Sequence, residues 1–214
     1  MDLRPFSCYS GYMIKAVIFD LGNVLCKLDR PACDTLIASH SPLPVERVSS
    51  LVWGGEIELG AETGRFDSRE HFKRIRESIH ADLGWTYEEF CQEYMHCLIP
   101  QNESEKAVIR AQELGLRVFI LSNTSYLHSR FIFSREILAT IPELYALSFK
   151  IGAMKPDRAM WDFLIERSNL KPEECIYFDD IPAYQEMGTK LGFKAALYNI
   201  ETENLVSKLE ALLK

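Results

Sequence analysis

The chain has 214 residues, 47% of them hydrophobic and 26% charged, enough for one well-formed core or a core with a smaller lid. Its 31 acidic and 24 basic residues leave a formal charge of −7, which excludes nucleic acid and anionic membranes as expected partners; an anionic substrate must be drawn in locally by a metal, a lysine or backbone amides. No stretch approaches the ~18 apolar residues of a membrane span.

Residues 1–12, MDLRPFSCYSGY, lack the continuous apolar run of a signal peptide and read as an N-terminal extension, with Met13 an alternative start. Ala16-Val17-Ile18-Phe19 is a short, wholly apolar run that stops at Asp20-Leu21-Gly22-Asn23, as a central strand of a parallel sheet does. Residues 29–100 carry no convincing strand. There Asp67-x-x-Glu70 and Thr86-x-x-Glu89 each open an amphipathic helix, and Pro42 and Pro44 break two earlier helical stretches, which predicts an all-helical cap.

From residue 101 the pattern alternates. Asn102-x-x-Glu105 resembles a capping box for a helix ending near Gly115; Val118-Phe119-Ile120-Leu121 is a strand ending at Ser122-Asn123-Thr124. A weaker strand spans Ala146 to Phe149. Pro156 precedes a helix to about Ser168, and Cys175-Ile176-Tyr177-Phe178 is a strand ending at Asp179-Asp180. Pro182 starts a helix that stops near Gly192, Ala195 to Tyr198 is a second weak strand, and the tail from Glu203 to Leu213 is helical. The expected fold is α/β, a doubly wound parallel sheet formed by residues 13–28 and 101–214, with residues 29–100 inserted as the cap. Six cysteines (Cys8, Cys26, Cys33, Cys91, Cys97 and Cys175) are scattered, with no Cys-x-x-Cys pair and no histidine at ligand spacing; they read as reduced thiols in a cytoplasmic protein.

In such a sheet, ligands bind beyond the carboxyl ends of the strands, where Asp20, Ser122-Asn123 and Asp179-Asp180 all fall. Singly, each has an ordinary explanation: an Asp that forms a turn, a Ser-Asn helix cap, and for Lys155 a solvated charge. Together they differ. Carboxylates crowded at one edge repel unless a cation neutralises them, and an all-oxygen set suits Mg²⁺. Lys155, Ser122 and Asn123 would hold the oxygens of a phosphoryl group, and a metal-bound Asp beside them can attack phosphorus.

The ordered set KAVIFDLGNVL, VFILSNT, GAMKPD and IYFDD resembles the four motifs of the haloacid dehalogenase superfamily, and the helical block sits where that superfamily inserts a C1-type cap. DLGNVL, SNTSYLH and WGGEIELGAETGRF look closest to its glucose-1-phosphatase-like branch of sugar-phosphate phosphatases. The resemblance implies a Rossmann-like core and Mg²⁺-dependent hydrolysis of a small phosphorylated metabolite through an aspartyl-phosphate, with no obligate protein partner. It makes Asp20 the nucleophile and a metal ligand, the Gly22 carbonyl and Asp180 further ligands, Asp179 a direct or water-mediated one, and Ser122, Asn123 and Lys155 the phosphate holders.

The chain departs from this pattern twice. Most phosphatases of the superfamily carry a second Asp two residues after the nucleophile to protonate the leaving alcohol; here that position is Gly22. This favours easily departing leaving groups, or an acid from substrate, water or the cap. Tyr184 stands where an Asn is usual and bears on support of the metal site. In the cap, Trp53 and Glu56 are candidate substrate contacts, each with a bland alternative: Trp53 as core and Glu56 as a solvated carboxylate. His128 is a third candidate, equally readable as a packing histidine. Two other readings remain: a silent fold retained for binding or regulation, and a dehalogenase, which needs no metal site.

Overall fold

A computed structural model describes Cys8, Tyr9 and residues 12–214. A two-stranded antiparallel pair, β1 (Cys8–Tyr9) and β2 (Tyr12–Met13), falls mostly in the expected N-terminal extension, the rest of which lies outside the described residues. The strand β3 (Ala16–Phe19) follows, then β4 (Cys26–Leu28). Five helices come next: α1 (Arg30–Ala38), α2 (Val45–Val52), α3 (Glu56–Glu62), α4 (Ser68–Ser78) and α5 (Tyr87–Met95). The chain returns through β5 (Leu98–Pro100), then α6 (Asn102–Glu113), β6 (Arg117–Ser122), α7 (Tyr126–Ser134), α8 (Glu136–Thr140) and β7 (Leu144–Leu147). It ends with α9 (Ser148–Ile151), α10 (Ala159–Ser168), β8 (Cys175–Asp179), α11 (Pro182–Lys190), β9 (Lys194–Leu197) and α12 (Leu205–Leu212).

Five strands form one parallel sheet in the order β7-β6-β3-β8-β9. Every residue of β3 is buried, because alternate side chains enter different layers. Val17 and Phe19 join Ala107 and Val108 of α6, Leu209 of α12 and much of the helical insert; Ala16 and Ile18 join Met160, Trp161 and Leu164 of α10 on the other side. The chain winds outward from β3 to β6 and β7, then crosses back to β8 and β9. The order therefore reverses beside β3, the place where open α/β sheets bind ligands.

The insert is helical, as expected, and Asp67 and Thr86 cap its fourth and fifth helices, with a full capping box at Thr86 and Glu89. Three local expectations need correcting. Leu98–Pro100 is a strand that pairs antiparallel with β4, so a two-stranded neck joins insert to sheet. Asn102 and Glu105 form no capping box: both take hydrogen bonds from Arg135, and the helix starts after an uncapped Gln101. The weak strand is Leu144–Leu147 rather than Ala146 to Phe149, because Ser148 begins a helical turn that ends at Gly152 with φ 80°. Among the described residues, no helix is long and apolar enough to cross a membrane.

Candidate active site

The carboxyl ends of β3, β6 and β8 and the facing insert enclose a cavity of about 570 Å³. Its sheet side is lined by Asp20, Gly22, Ser122, Asn123, Lys155 and Asp180, and its insert side by Arg30, Glu58 and Glu62. Asp20 sits where β3 ends, with its backbone N–H still bonded to the Phe178 carbonyl of β8 at 2.9 Å. One carboxylate oxygen from each of Asp20, Asp179 and Asp180 can be chosen so that all three lie within 4.8 Å of one another.

Lys155 links two of them. Its Nζ donates to Asp20 Oδ1 at 2.8 Å and to Asp179 Oδ2 at 2.6 Å, with the lysine itself 3% exposed. Burial would drive the ammonium toward its neutral form, but the two carboxylates outweigh it and hold its pKa above the usual lysine range. The Asp20 carboxyl is pushed up to about 7, chiefly by burial; Lys155 pulls it down, while Asp179 and Asp180 add to the rise. Burial raises Asp180 too, against a hydrogen bond from Asn23 Nδ2 at 3.1 Å.

Asp179 is fully buried beneath the cavity rather than in its wall. Its oxygens accept from Lys155 Nζ, the Tyr177 hydroxyl and the Ile181 N–H. Asn123 has a local task of its own. Its Oδ1 accepts from the Lys155 N–H at 2.7 Å and its Nδ2 donates to the Lys155 carbonyl at 3.1 Å, so it clamps the lysine's backbone beside the cis Lys155–Pro156 peptide. Tyr184 completes this corner: its hydroxyl accepts from Asn123 Nδ2 at 3.4 Å, and Lys155 Nζ lies 4.9 Å from its ring centroid.

The insert residues singled out in the sequence land in different places. Glu56 points into solvent and pairs with Arg65, and Trp53 is buried outside the cavity wall, donating to Asp34 and stacking on Tyr94. His128 does reach the wall. Its ring lies 4.2 Å from Tyr94's, and its Nε2 meets the Tyr94 carbonyl at 3.1 Å and Cys97 Sγ at 3.5 Å. Hydrogen bonding to Cys33 and the neighbouring His128 pull the Cys97 thiol down to about 5, although burial opposes this. No histidine stands at ligand spacing from a cysteine in the sequence; folding brings together these two residues 31 positions apart.

The sequence reading missed Asn23, Arg30, Glu58 and Glu62. Arg30 donates to Glu58 Oε1 at 3.1 Å, and Glu58 also accepts from the Gly54 N–H. Glu62 has neither hydrogen bond nor ion pair among the described residues, and its carboxyl is pushed up to about 7, first by burial and then by Glu58. A signal for Glu62 was present: it lies between Gly60 and Gly64, and paired glycines mark a close backbone approach.

A family model described as haloacid dehalogenase-like hydrolase matches residues 14–192. Phosphatase MT3486 of Mycobacterium tuberculosis (strain CDC 1551 / Oshkosh) is 26% identical over 189 residues, covering 86% of this chain and 87% of that protein. D-ribitol-5-phosphate phosphatase of Bacteroides thetaiotaomicron is 25% identical over 195 residues, covering 85% and 90%. In fold, the chain is similar to the HAD family enzyme bt-2542 of Bacteroides thetaiotaomicron, solved in complex with magnesium and inorganic phosphate; the TM-score is 0.78 at 21% identity, over 89% of this chain and 96% of that one. The chain belongs to the haloacid dehalogenase-like hydrolases.

Proposed function

We propose that this chain is a Mg²⁺-dependent phosphatase of a small sugar or polyol phosphate, with Asp20 as the nucleophile, acting in the cytoplasm. The observation that carries the reading is the meeting of Asp20, Lys155 and Asp180 at the floor of one polar cavity capped by a helical insert. The phosphatase relatives, one of them acting on ribitol 5-phosphate, support the substrate class, as does the resemblance to the glucose-1-phosphatase-like branch. Cys26, Cys33, Cys91, Cys97 and Cys175 are free thiols, which supports a reducing compartment.

The residues suit a magnesium ion. Three carboxylates against one lysine leave net negative charge in a buried place, and hard oxygen donors match this metal. Asp20 and Asp180 each accept a hydrogen bond through one oxygen, leaving the other for a cation, and the Gly22 carbonyl would be a third ligand. Asp179, whose oxygens are held by Lys155, Tyr177 and Ile181, fits a water-mediated role. Bound there, Mg²⁺ would supply charge neutralisation for a phosphoryl dianion.

Asp20 attacks phosphorus, and the ester bond to the leaving oxygen breaks as the aspartyl-phosphate forms. Lys155 holds the phosphoryl oxygens as a fixed positive charge, and Ser122 adds a hydroxyl. Water then attacks phosphorus, which releases phosphate and restores Asp20. The test is a screen of phosphorylated metabolites for phosphate release. Release should require Mg²⁺, stop in chelator and vanish in Asp20→Asn; equal turnover in excess chelator would sink the assignment.

A further inference from the structure

Position 22 offers no acid: it is a glycine, and a Cβ there would meet the Leu28 side chain, whose Cδ1 would lie 2.8 Å away. A protein acid for the leaving oxygen would then come from another wall of the cavity. Of the ionisable groups there, Lys155 is held between Asp20 and Asp179, Asp180 accepts from Asn23 on the floor beside Asp20, and Glu58 is bonded to Arg30 and Gly54. His128 Nε2 faces the Tyr94 carbonyl and Cys97, and Cys97, drawn down to about 5 by Cys33 and His128, has no proton to give near neutral pH.

Glu62 is the carboxyl left uncommitted, and the fold places it deliberately. The turn after α3 rests on the core at Phe149, whose carbonyl oxygen would lie 2.1 Å from a Cβ on Gly64. Such contact is open only to glycine, here at φ +69°. Two residues before it, Glu62 lines the cavity opposite Asp20 and Lys155.

We propose that Glu62 of the insert is the general acid that protonates the leaving oxygen, replacing the carboxyl that position 22 lacks. The inference rests on the phosphatase reading above. When Asp20 attacks, the bonding pair of the P–O ester bond goes to the leaving oxygen, which takes the Glu62 proton and departs as the alcohol. The Glu62 carboxylate then accepts a proton from the water that attacks the aspartyl-phosphate, which regenerates both groups and frees inorganic phosphate. A carboxyl titrating near neutral pH suits both halves. The groups facing it are Glu58 on its own helix, Arg30 of α1, His128 of α7 and Lys155; His71 of the neighbouring α4, pulled down to about 3 by burial, stays neutral.

The experiment compares wild type with Glu62→Gln on two substrates in Mg²⁺, a polyol 5-phosphate and p-nitrophenyl phosphate. The first leaving group needs a proton and the second departs as a stabilised anion. General acid catalysis is typically worth ~10²–10⁴-fold, so kcat/KM for the polyol ester should fall by about that factor, with a loss at least tenfold smaller on the aryl ester. The alkaline limb of the polyol pH profile should also disappear. Equal losses on both substrates, with that limb intact, overturn the proposal. Should Glu62→Gln lose its fold by thermal melting, Glu62→Asp reads the same substrate ratio. If Asp20→Asn still hydrolyses p-nitrophenyl phosphate at the wild-type rate, the phosphatase reading itself fails, which keeps the two failures apart.

Discussion

Single side chains in this site hold one another rather than the substrate alone. Asn123 was expected to hold phosphate, yet its amide clamps both backbone polar groups of Lys155. Asn123→Ala should therefore act through the lysine. Two lost hydrogen bonds, at about 1 kcal/mol each, should appear in urea melts. A displaced Lys155 should lower kcat/KM by about 10²-fold, the scale of a 1 Å misplacement; unchanged kcat/KM would leave the clamp without a catalytic consequence. Much of this floor was legible in the sequence. Asp20 follows the wholly apolar β3, Ser122 and Asp179 close β6 and β8 after apolar runs, and strand ends in a parallel sheet share one edge. Arg30, Glu58 and Glu62 were not, because helical charges normally face water and only the seating of the insert over the sheet brings these to the cavity. Trp53 and Glu56 show the same limit in reverse: their neighbourhood reaches the cavity, but their own side chains do not.

At the scale of elements, the insert is more than a lid resting on a finished domain. Val17 and Phe19 of β3, Val108 of α6, and Cys33, Val52, Phe90 and Tyr94 of the insert belong to one continuous apolar cluster. The β4–β5 neck fastens its base, and Gly64 seats the far end against Phe149. Gly64→Ala tests the second fastening. The left-handed backbone and the clash together should cost about 1–3 kcal/mol in chemical denaturation. Because the turn carries Glu62, kcat on a polyol phosphate should fall more than kcat on an aryl phosphate. A variant with wild-type stability and kinetics would show that the contact is adaptable. The neck itself escaped sequence reading because three-residue strands such as Cys26–Leu28 carry too little pattern, and antiparallel pairing between residues some 70 apart is a tertiary fact.

For the whole molecule, the electrostatics of the site set how stability depends on pH and metal. A chain of formal charge −7 buries Asp20 and Asp179, with Asp180 half-buried beside them and Glu62 above. The Asp20 and Glu62 carboxyls sit near 7 in the folded state against usual values of 3.8 and 4.5, and Asp180 is raised as well. Between pH 6.5 and 8 the unfolded chain has already released these protons while the folded chain still holds part of them. These carboxyls therefore add stability to the metal-free protein as pH falls from 8 to 6.5, by up to about 1.4 kcal/mol for each pKa unit of such a shift that the window spans. His128, raised by Cys97 against burial, works in the same direction, whereas the Cys97 thiol, down at about 5 in the folded chain and so ionised there while still protonated in the unfolded one, opposes them across the window. His71, pulled down to about 3, opposes it only below the usual histidine range, so the window stops at 6.5. On the proposed reading Mg²⁺ would reverse the logic at the floor: a cation held by ionised Asp20 and Asp180 would displace their protons and bind more tightly as pH rises. At a hundredfold excess over Kd it should add about 2.7 kcal/mol. Thermal melts at pH 6.5, 7.2 and 8, in chelator and in Mg²⁺, read both slopes. In a Cys97→Ser variant, where the opposing thiol is gone, the Tm in chelator should fall as pH rises; the gain from Mg²⁺ should be largest at pH 8 and absent in Asp180→Ala. A metal gain independent of pH, or one that survives Asp180→Ala, would place the binding ion away from these carboxylates.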